Sequence, residues 1–290
     1  MNIRIYKKKY CVIIFIILLL LMIVGSIWDY PISQALYNSH NAFGIFFASY
    51  GQLPAMMCFA VGGTLLLRLI NKNNKIKMIL CIFFAIFFNL IAIIAITVDP
   101  LLYISKMSMG LSFIIAVALV GFTDILIYKF SQNASRDTIK KIVILLLSVV
   151  FIELIVINLV KVPWARPRMR MISSRHDVSF QPWWVIGNTM KDQLMALGVA
   201  GEEFKSFPSG HTANAACAML LCVLPLLNSH LEGKEDLLFF IGVCFTFLVA
   251  LSRIIMGAHF LTDVVIGMTV SLVIQIIMVK IIFKRMDDLQ

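Results

Sequence analysis

Eight apolar runs dominate this chain and leave it few ways to fold. The first, residues 10–28, holds nineteen residues without a charge, which as a helix is about 28 Å long, the thickness of a bilayer's hydrocarbon core. Seven more follow at 53–67, 78–98, 107–128, 142–160, 211–227, 239–256 and 264–283. Lipid offers no partner to an unpaired backbone amide, and the runs lack the period-two alternation of a barrel strand, so each reads as a helix. The predicted fold is an all-α polytopic membrane bundle of about eight transmembrane helices.

Composition excludes the alternatives. With 61% apolar and only 14% charged residues, the chain lies far from a soluble globular domain. All six cysteines sit in apolar stretches with no C-x-x-C pair, which argues for packing residues and against a disulfide scaffold. The net charge of +10 is carried by clusters beside the apolar runs. That distribution reports topology, and no nucleic-acid partner is expected. Arg4, Lys7, Lys8 and Lys9 precede the first run as a signal peptide's n-region would. The run exceeds a typical h-region, however, and no small-x-small cleavage pattern follows, so a retained anchor is expected.

Retained Lys and Arg mark the cytoplasmic side. With the N-terminus inside, four basics fall in the tail, four at Arg68, Lys72, Lys75 and Lys77, and four at Lys129, Arg136, Lys140 and Lys141. Lys234 adds one, and Lys280, Lys284 and Arg285 close the chain. The outer segments after the first and third runs hold only Lys106. Both termini are then cytoplasmic, and a bacterial plasma membrane is the expected location. One outer segment breaks the pattern: 161–205 carries Lys161, Arg166, Arg168, Arg170, Arg175, Lys191 and Lys205. Either long loops cross regardless of charge, or some of these side chains bind an anion. Trp183 and Trp184 are expected at headgroup depth, Arg166 and Arg170 as interfacial anchors outside any site, and Glu153 and Asp124 in structural roles.

Three segments carry chemistry, and the topology puts all three at the outer face. They are Lys161-Val162-Pro163-Trp164-Ala165-Arg166-Pro167-Arg168, then Ser206-Phe207-Pro208-Ser209-Gly210-His211-Thr212, then Ser252-Arg253 with His259 and Asp263 beyond. A phosphoryl group in transfer spreads charge over three oxygens, and without metal it needs several fixed cationic and amide donors. Lys161, Arg168 and Arg253 supply the cations, Ser209 a hydroxyl, and Gly210 a backbone amide at a helix start. His259 and Asp263 are four apart, so the carboxylate can fix one imidazole nitrogen and leave the other as a nucleophile. His211, from another segment, is free to protonate the leaving oxygen and then activate water.

The three motifs together resemble the type 2 phosphatidic acid phosphatase superfamily, whose pattern reads K-x6-R-P, P-S-G-H and S-R-x5-H-x3-D. Lys161 and Arg168 match the first, Pro208 to His211 the second, and Ser252, Arg253, His259 and Asp263 the third. Met169 stands where that family usually has Pro, which puts the local turn in doubt. The resemblance spans Ile142 to the end and implies a metal-free, cofactor-free phosphohistidine mechanism. In it His259 is the nucleophile, Asp263 its orienting partner and His211 the acid and base. It also implies a six-helix core, so that 1–141 would bring about two extra helices and 142–290 all three motifs. The expected activity is hydrolysis of a lipid phosphate or diphosphate beside the bilayer. Phosphotransfer to an acceptor hydroxyl, or lipid binding or transport without turnover, are the alternatives, and oligomeric state is not legible.

Overall fold

The structure, a computed structural model, describes residues 5–284. Arg4 and Arg285, two of the basics used for topology, lie outside the described residues. Long helices follow the apolar runs: α1 (Lys8–Leu36), α3 (Leu53–Arg68), α4 (Lys75–Tyr103), α5 (Met109–Phe130), α6 (Arg136–Trp164), α10 (Glu235–Ile255) and α11 (Leu261–Lys284). The short α2 (Ala42–Tyr50) continues into α3 through a tight turn. No strand occurs among the described residues. Seven helices are long and apolar enough to cross a membrane, counting α2 and α3 as one. The chain is an integral membrane protein. The remaining expected run, 211–227, is shorter: α9 (Gly210–Ala216) passes into a 3₁₀ segment, Cys217–Leu226.

Helix starts follow elementary capping. Asn74, Ser108, Ser135 and Ser209 each accept a hydrogen bond from the amide three residues on, giving partners to donors that the helix itself leaves free. The α9–3₁₀ rod forms the centre, packed by α3, α6, α10 and α11. The α1 helix packs on α10 and α11, while α4 and α5 pack on α3. The sequence ends the first span at Trp28 because Asp29 is charged. The helix in fact kinks at Trp28 (φ −122°) and runs on to Leu36, carrying Asp29 into the interior, where it is 3% exposed.

Between α6 and α9 the chain folds over one end of the bundle, through α7 (Met169–Ser174), α8 (Lys191–Ala196) and a 3₁₀ turn, Gly201–Phe204. Met171, Val178, Leu194 and Phe204 form a small apolar core of its own. Trp183 does not simply float at an interface: its Nε1 donates to Ser26 Oγ at 2.9 Å and its ring stacks on Phe207. Trp184 is exposed. Glu153 is buried at mid-bundle against Ser271 and Cys217, and Asp124 accepts from Thr64 Oγ1 at 2.6 Å; both lie away from the chemistry-bearing end.

Candidate active site

The C-terminal ends of α4, α6 and α10 and the N-terminal ends of α9 and α11 meet at the covered end of the bundle, and every predicted site residue lies there. Helix α6 closes on Ala165 in the left-handed conformation (φ 49°, ψ 34°), a turn unusual for a residue with a Cβ. Lys161 stays on the last turn of α6, while Arg166 and Arg168 follow in the reversed chain. After α10, Gly257 (φ 61°) makes a second reversal, and a Cβ there would land 2.6 Å from the Tyr37 ring. Ala258 and His259 then donate their amides back to the Arg253 carbonyl at 3.1 and 3.3 Å, which sets both residues at one site.

The cations divide into two groups. Arg170 forms a fork with Glu203, Arg175 pairs with Asp177 at 2.7 Å and Lys205 with Glu202 at 2.5 Å. Arg166 is satisfied as well. What is left over is the predicted phosphate-binding set. Lys161 makes no ion pair among the described residues, and a Cβ added to Gly210 would lie 3.4 Å from its Nζ. Arg168 reaches only Glu202, at 3.8 Å, and its Nε is buried without a partner. Arg253 is fully buried; Nη2 donates to Tyr103 Oη at 3.3 Å, and Nε and Nη1 have no partner. Nε2 of His211 is likewise buried and unpartnered. An unmet buried polar atom costs about 1–3 kcal/mol. Four such nitrogens, with the lysine beside them, leave a cluster of polar groups unmet by the protein at this end of the bundle.

His259 is 1% exposed and its Nδ1 lies 2.5 Å from the Ser206 carbonyl oxygen, which fixes the tautomer that keeps the proton on Nδ1. Nε2 has no protein partner among the described residues. Burial pushes the imidazole down to about 3, with the charges of Arg168 and Lys161 acting the same way and Asp263 opposing them. The ring is therefore neutral at ordinary pH, with a lone pair on Nε2. The charges of Arg253, His259, Lys161 and Arg168 all act on His211, so the four groups share one field. The edge of the Tyr103 ring faces that imidazole at 6.2 Å between centroids.

Two expectations need correction. Asp263 does not bond the His259 ring directly: its Oδ2 is 3.8 Å from Nδ1, and the Ser206 carbonyl takes the proton instead. The carboxylate is already occupied, Oδ2 by Ser206 Oγ (2.5 Å) and the Phe260 amide (2.8 Å), Oδ1 by Arg166 Nη1. Arg166 is no interfacial anchor. It is fully buried, donates to Gln181 O (2.8 Å), Thr262 Oγ1 (2.9 Å) and Asp29 Oδ2 (2.9 Å) besides Asp263, and lies over the Phe260 ring. The Ser209 hydroxyl, expected on phosphate, caps α9 by accepting from the Thr212 amide at 3.3 Å and contacts Thr212 Oγ1 at 2.9 Å.

The sequence pattern of the PAP2 superfamily matches residues 141–287, about half of the chain. The chain belongs to the PAP2 superfamily. A 75-residue stretch is 37% identical to phosphatidylglycerophosphatase B of Bacillus subtilis (strain 168), covering 24% of this chain and 35% of that protein. The chain thus spans about a third of the length of the curated relative it matches. No solved structure matches. Within the PAP2 segment, Met169 is the first residue of α7, a position that accepts proline without loss, so the departure at Met169 leaves the turn intact. Two residues that touch the site come from outside the segment: Tyr103, which sequence reasoning passed over, and Asp29.

Proposed function

We propose that this protein is an integral membrane phosphatase that removes a terminal phosphate from a lipid phosphate or diphosphate at the extracytoplasmic face, through a phosphohistidine on His259. The observation that carries this is the set of buried, unpartnered nitrogens on Arg168, Arg253 and His211, with Lys161 beside them, around a neutral imidazole. The distribution of basic residues supports the outward face. The name of the Bacillus relative makes phosphatidylglycerol phosphate the first lipid to try.

The phosphate is held by Lys161, Arg168, Arg253 and the Gly210 amide. The Nε2 lone pair of His259 forms the N–P bond as the P–O bond to the lipid breaks. The electron pair passes to the leaving oxygen, which takes a proton from His211. Water then attacks phosphorus and gives its proton to His211, and the N–P pair returns to Nε2, releasing inorganic phosphate. Asp263 faces the ring while it carries positive charge, an electrostatic contribution made in place before the reaction. An apolar cavity of about 320 Å³ lies along the 3₁₀ part of the rod, lined by Leu53, Met57, Cys217, Ala218, Leu221 and Phe245 among others, and offers room for hydrocarbon.

The test is phosphate release by detergent-purified protein, with chelator present, from phosphatidylglycerol phosphate, phosphatidate, undecaprenyl diphosphate and glucose 6-phosphate. Release from a lipid that is lost in His259→Ala, with an acid-labile phosphoenzyme trapped in the wild type, is the expected result. Folded wild type that releases nothing from any lipid defeats the proposal. Phosphate recovered on an acceptor hydroxyl makes the protein a transferase.

A further inference from the structure

We propose that Asp29, on α1, is a positioning residue for the nucleophilic histidine, acting through Arg166 and Asp263; this rests on the phosphohistidine reading above. A chain of contacts links five segments. Asp29 Oδ2 accepts from Arg166 Nη2 at 2.9 Å and from Thr262 Oγ1, and Oδ1 accepts from the Thr262 amide at 3.0 Å. Arg166 Nη1 then holds Asp263 Oδ1. Oδ2 of Asp263 holds the Ser206 hydroxyl at 2.5 Å, and the Ser206 carbonyl holds His259 Nδ1 at 2.5 Å. Asp29, Arg166, Asp263, Ser206 and His259 are all between 0 and 3% exposed.

The chain has a purpose beyond packing, because of charge. A single buried guanidinium paired with Asp263 alone would cancel the carboxylate that faces His259. Arg166 is shared between two carboxylates, so the buried group Asp29–Arg166–Asp263 keeps one net negative charge. With Lys161, Arg168 and Arg253 taken up by the phosphate, that charge is costly to bury unless a cation forms next to it. The phosphorylated imidazole, protonated on Nδ1 and 3.8 Å from Asp263, is that cation. The two-point hold of Asp29 on Thr262 also sets the start of α11, from which Asp263 projects. Since α1 lies outside the 141–287 match, this contribution belongs to the part of the chain that the family pattern does not describe.

The experiment uses the full chain in detergent with the lipid that wild type hydrolyses and His259→Ala does not. Asp29→Asn keeps the shape and removes the charge. The expected result is phosphoenzyme formation slowed about 10- to 100-fold, the size of effect that misplacement of a reacting group produces, with KM within about threefold of wild type. Asp29→Glu, which keeps the charge, should recover most of the loss. Wild-type phosphoenzyme rates in Asp29→Asn, or a lower melting temperature with no change in rate, would overturn the assignment. If Asp29→Asn does not fold, Thr262→Val is read in its place: it breaks the hydroxyl links to Asp29 and Arg166 and should slow the same step, and an unchanged rate refutes the proposal. Wild type inactive on every lipid refutes the phosphatase reading first, and this inference with it.

Discussion

His259 is held by a carbonyl and faced by a carboxylate, and the two contacts predict different losses. Ser206→Ala removes the hydroxyl bond to Asp263 but keeps the carbonyl on Nδ1, so phosphate release should stay within about tenfold of wild type. Asp263→Asn breaks one of the two buried ion pairs of Arg166, leaving it to Asp29 alone, and removes the carboxylate that faces His259. Breaking a buried pair costs about 3–5 kcal/mol, so this variant should lose both activity and thermal stability in detergent. The depressed imidazole gives a further test. Between about 3, the folded value, and ~6.5, the ordinary imidazole value, the unfolded chain binds a proton that folded His259 refuses. Stability therefore falls as pH drops through this window, and His259→Gln should flatten that part of a melting-temperature profile. If the wild type shows no acid destabilisation between pH 6.5 and 4 beyond that of the variant, His259 is not buried as described. Most of these residues were legible in the chain as candidates, from three motifs that resemble the family pattern. Arg166 was not: it sits two residues from Arg168 in a basic segment, and nothing in the local pattern shows that one meets carboxylates while the other is left for an anion.

The short α9–3₁₀ rod decides whether the site assembles, since it carries Gly210 and His211 and is walled by four helices. Its first turn lies directly against α11. A Cβ on Gly267 would lie 2.4 Å from the Ser209 carbonyl oxygen, a backbone atom that cannot swing aside. Gly267→Ala should push the two helices apart, lowering the melting temperature by several degrees and phosphate release by at least tenfold. Gly121→Ala, on α5 with nothing within 4 Å of the added atom, should leave release unchanged. Equal behaviour of the two variants would contradict the packing described. The start of the rod was readable from its proline, serine and glycine, all turn or cap residues. Its conversion to 3₁₀ geometry was not, because apolar periodicity alone does not separate the two helices over ten residues. The same limit hid the continuation of α1 past Trp28: a charge ends an apolar run in a sequence, whereas here the charge is buried because Arg166 meets it.

Across the bundle, the site gathers at the end where α1, α4, α6 and α10 finish and α9 and α11 begin. The opposite end is closed by Lys7 on Asp236 (2.6 Å) and by Arg136 on the Leu69 carbonyl (2.7 Å). If basic residues mark the cytoplasm, Trp184→Cys should react with a membrane-impermeant thiol reagent in intact cells and Lys72→Cys only after permeabilisation. The reverse pattern would turn the site inward. The helices outside the PAP2 match are expected to matter for catalysis as well as anchoring. Tyr103→Phe, which removes the α4 hydroxyl from Arg253 Nη2, should raise KM about fivefold by leaving a third guanidinium nitrogen unheld.

The apolar runs alone were enough to establish an all-helical membrane protein, because lipid leaves the backbone no other way to meet its hydrogen bonds. Spacing and residue type, with the family resemblance they carry, singled out Lys161, Arg168, His211, Arg253, His259 and Asp263 as candidates, and the fold brings all six to one end of the bundle. Tertiary structure decided how charge is shared among them. Asp29 is separated from Arg166 by 137 residues and from Thr262 by 233. No local pattern encodes a contact of that kind: it exists only once α1, the loop after α6 and the start of α11 are packed together, and it is there that a buried arginine is divided between two carboxylates.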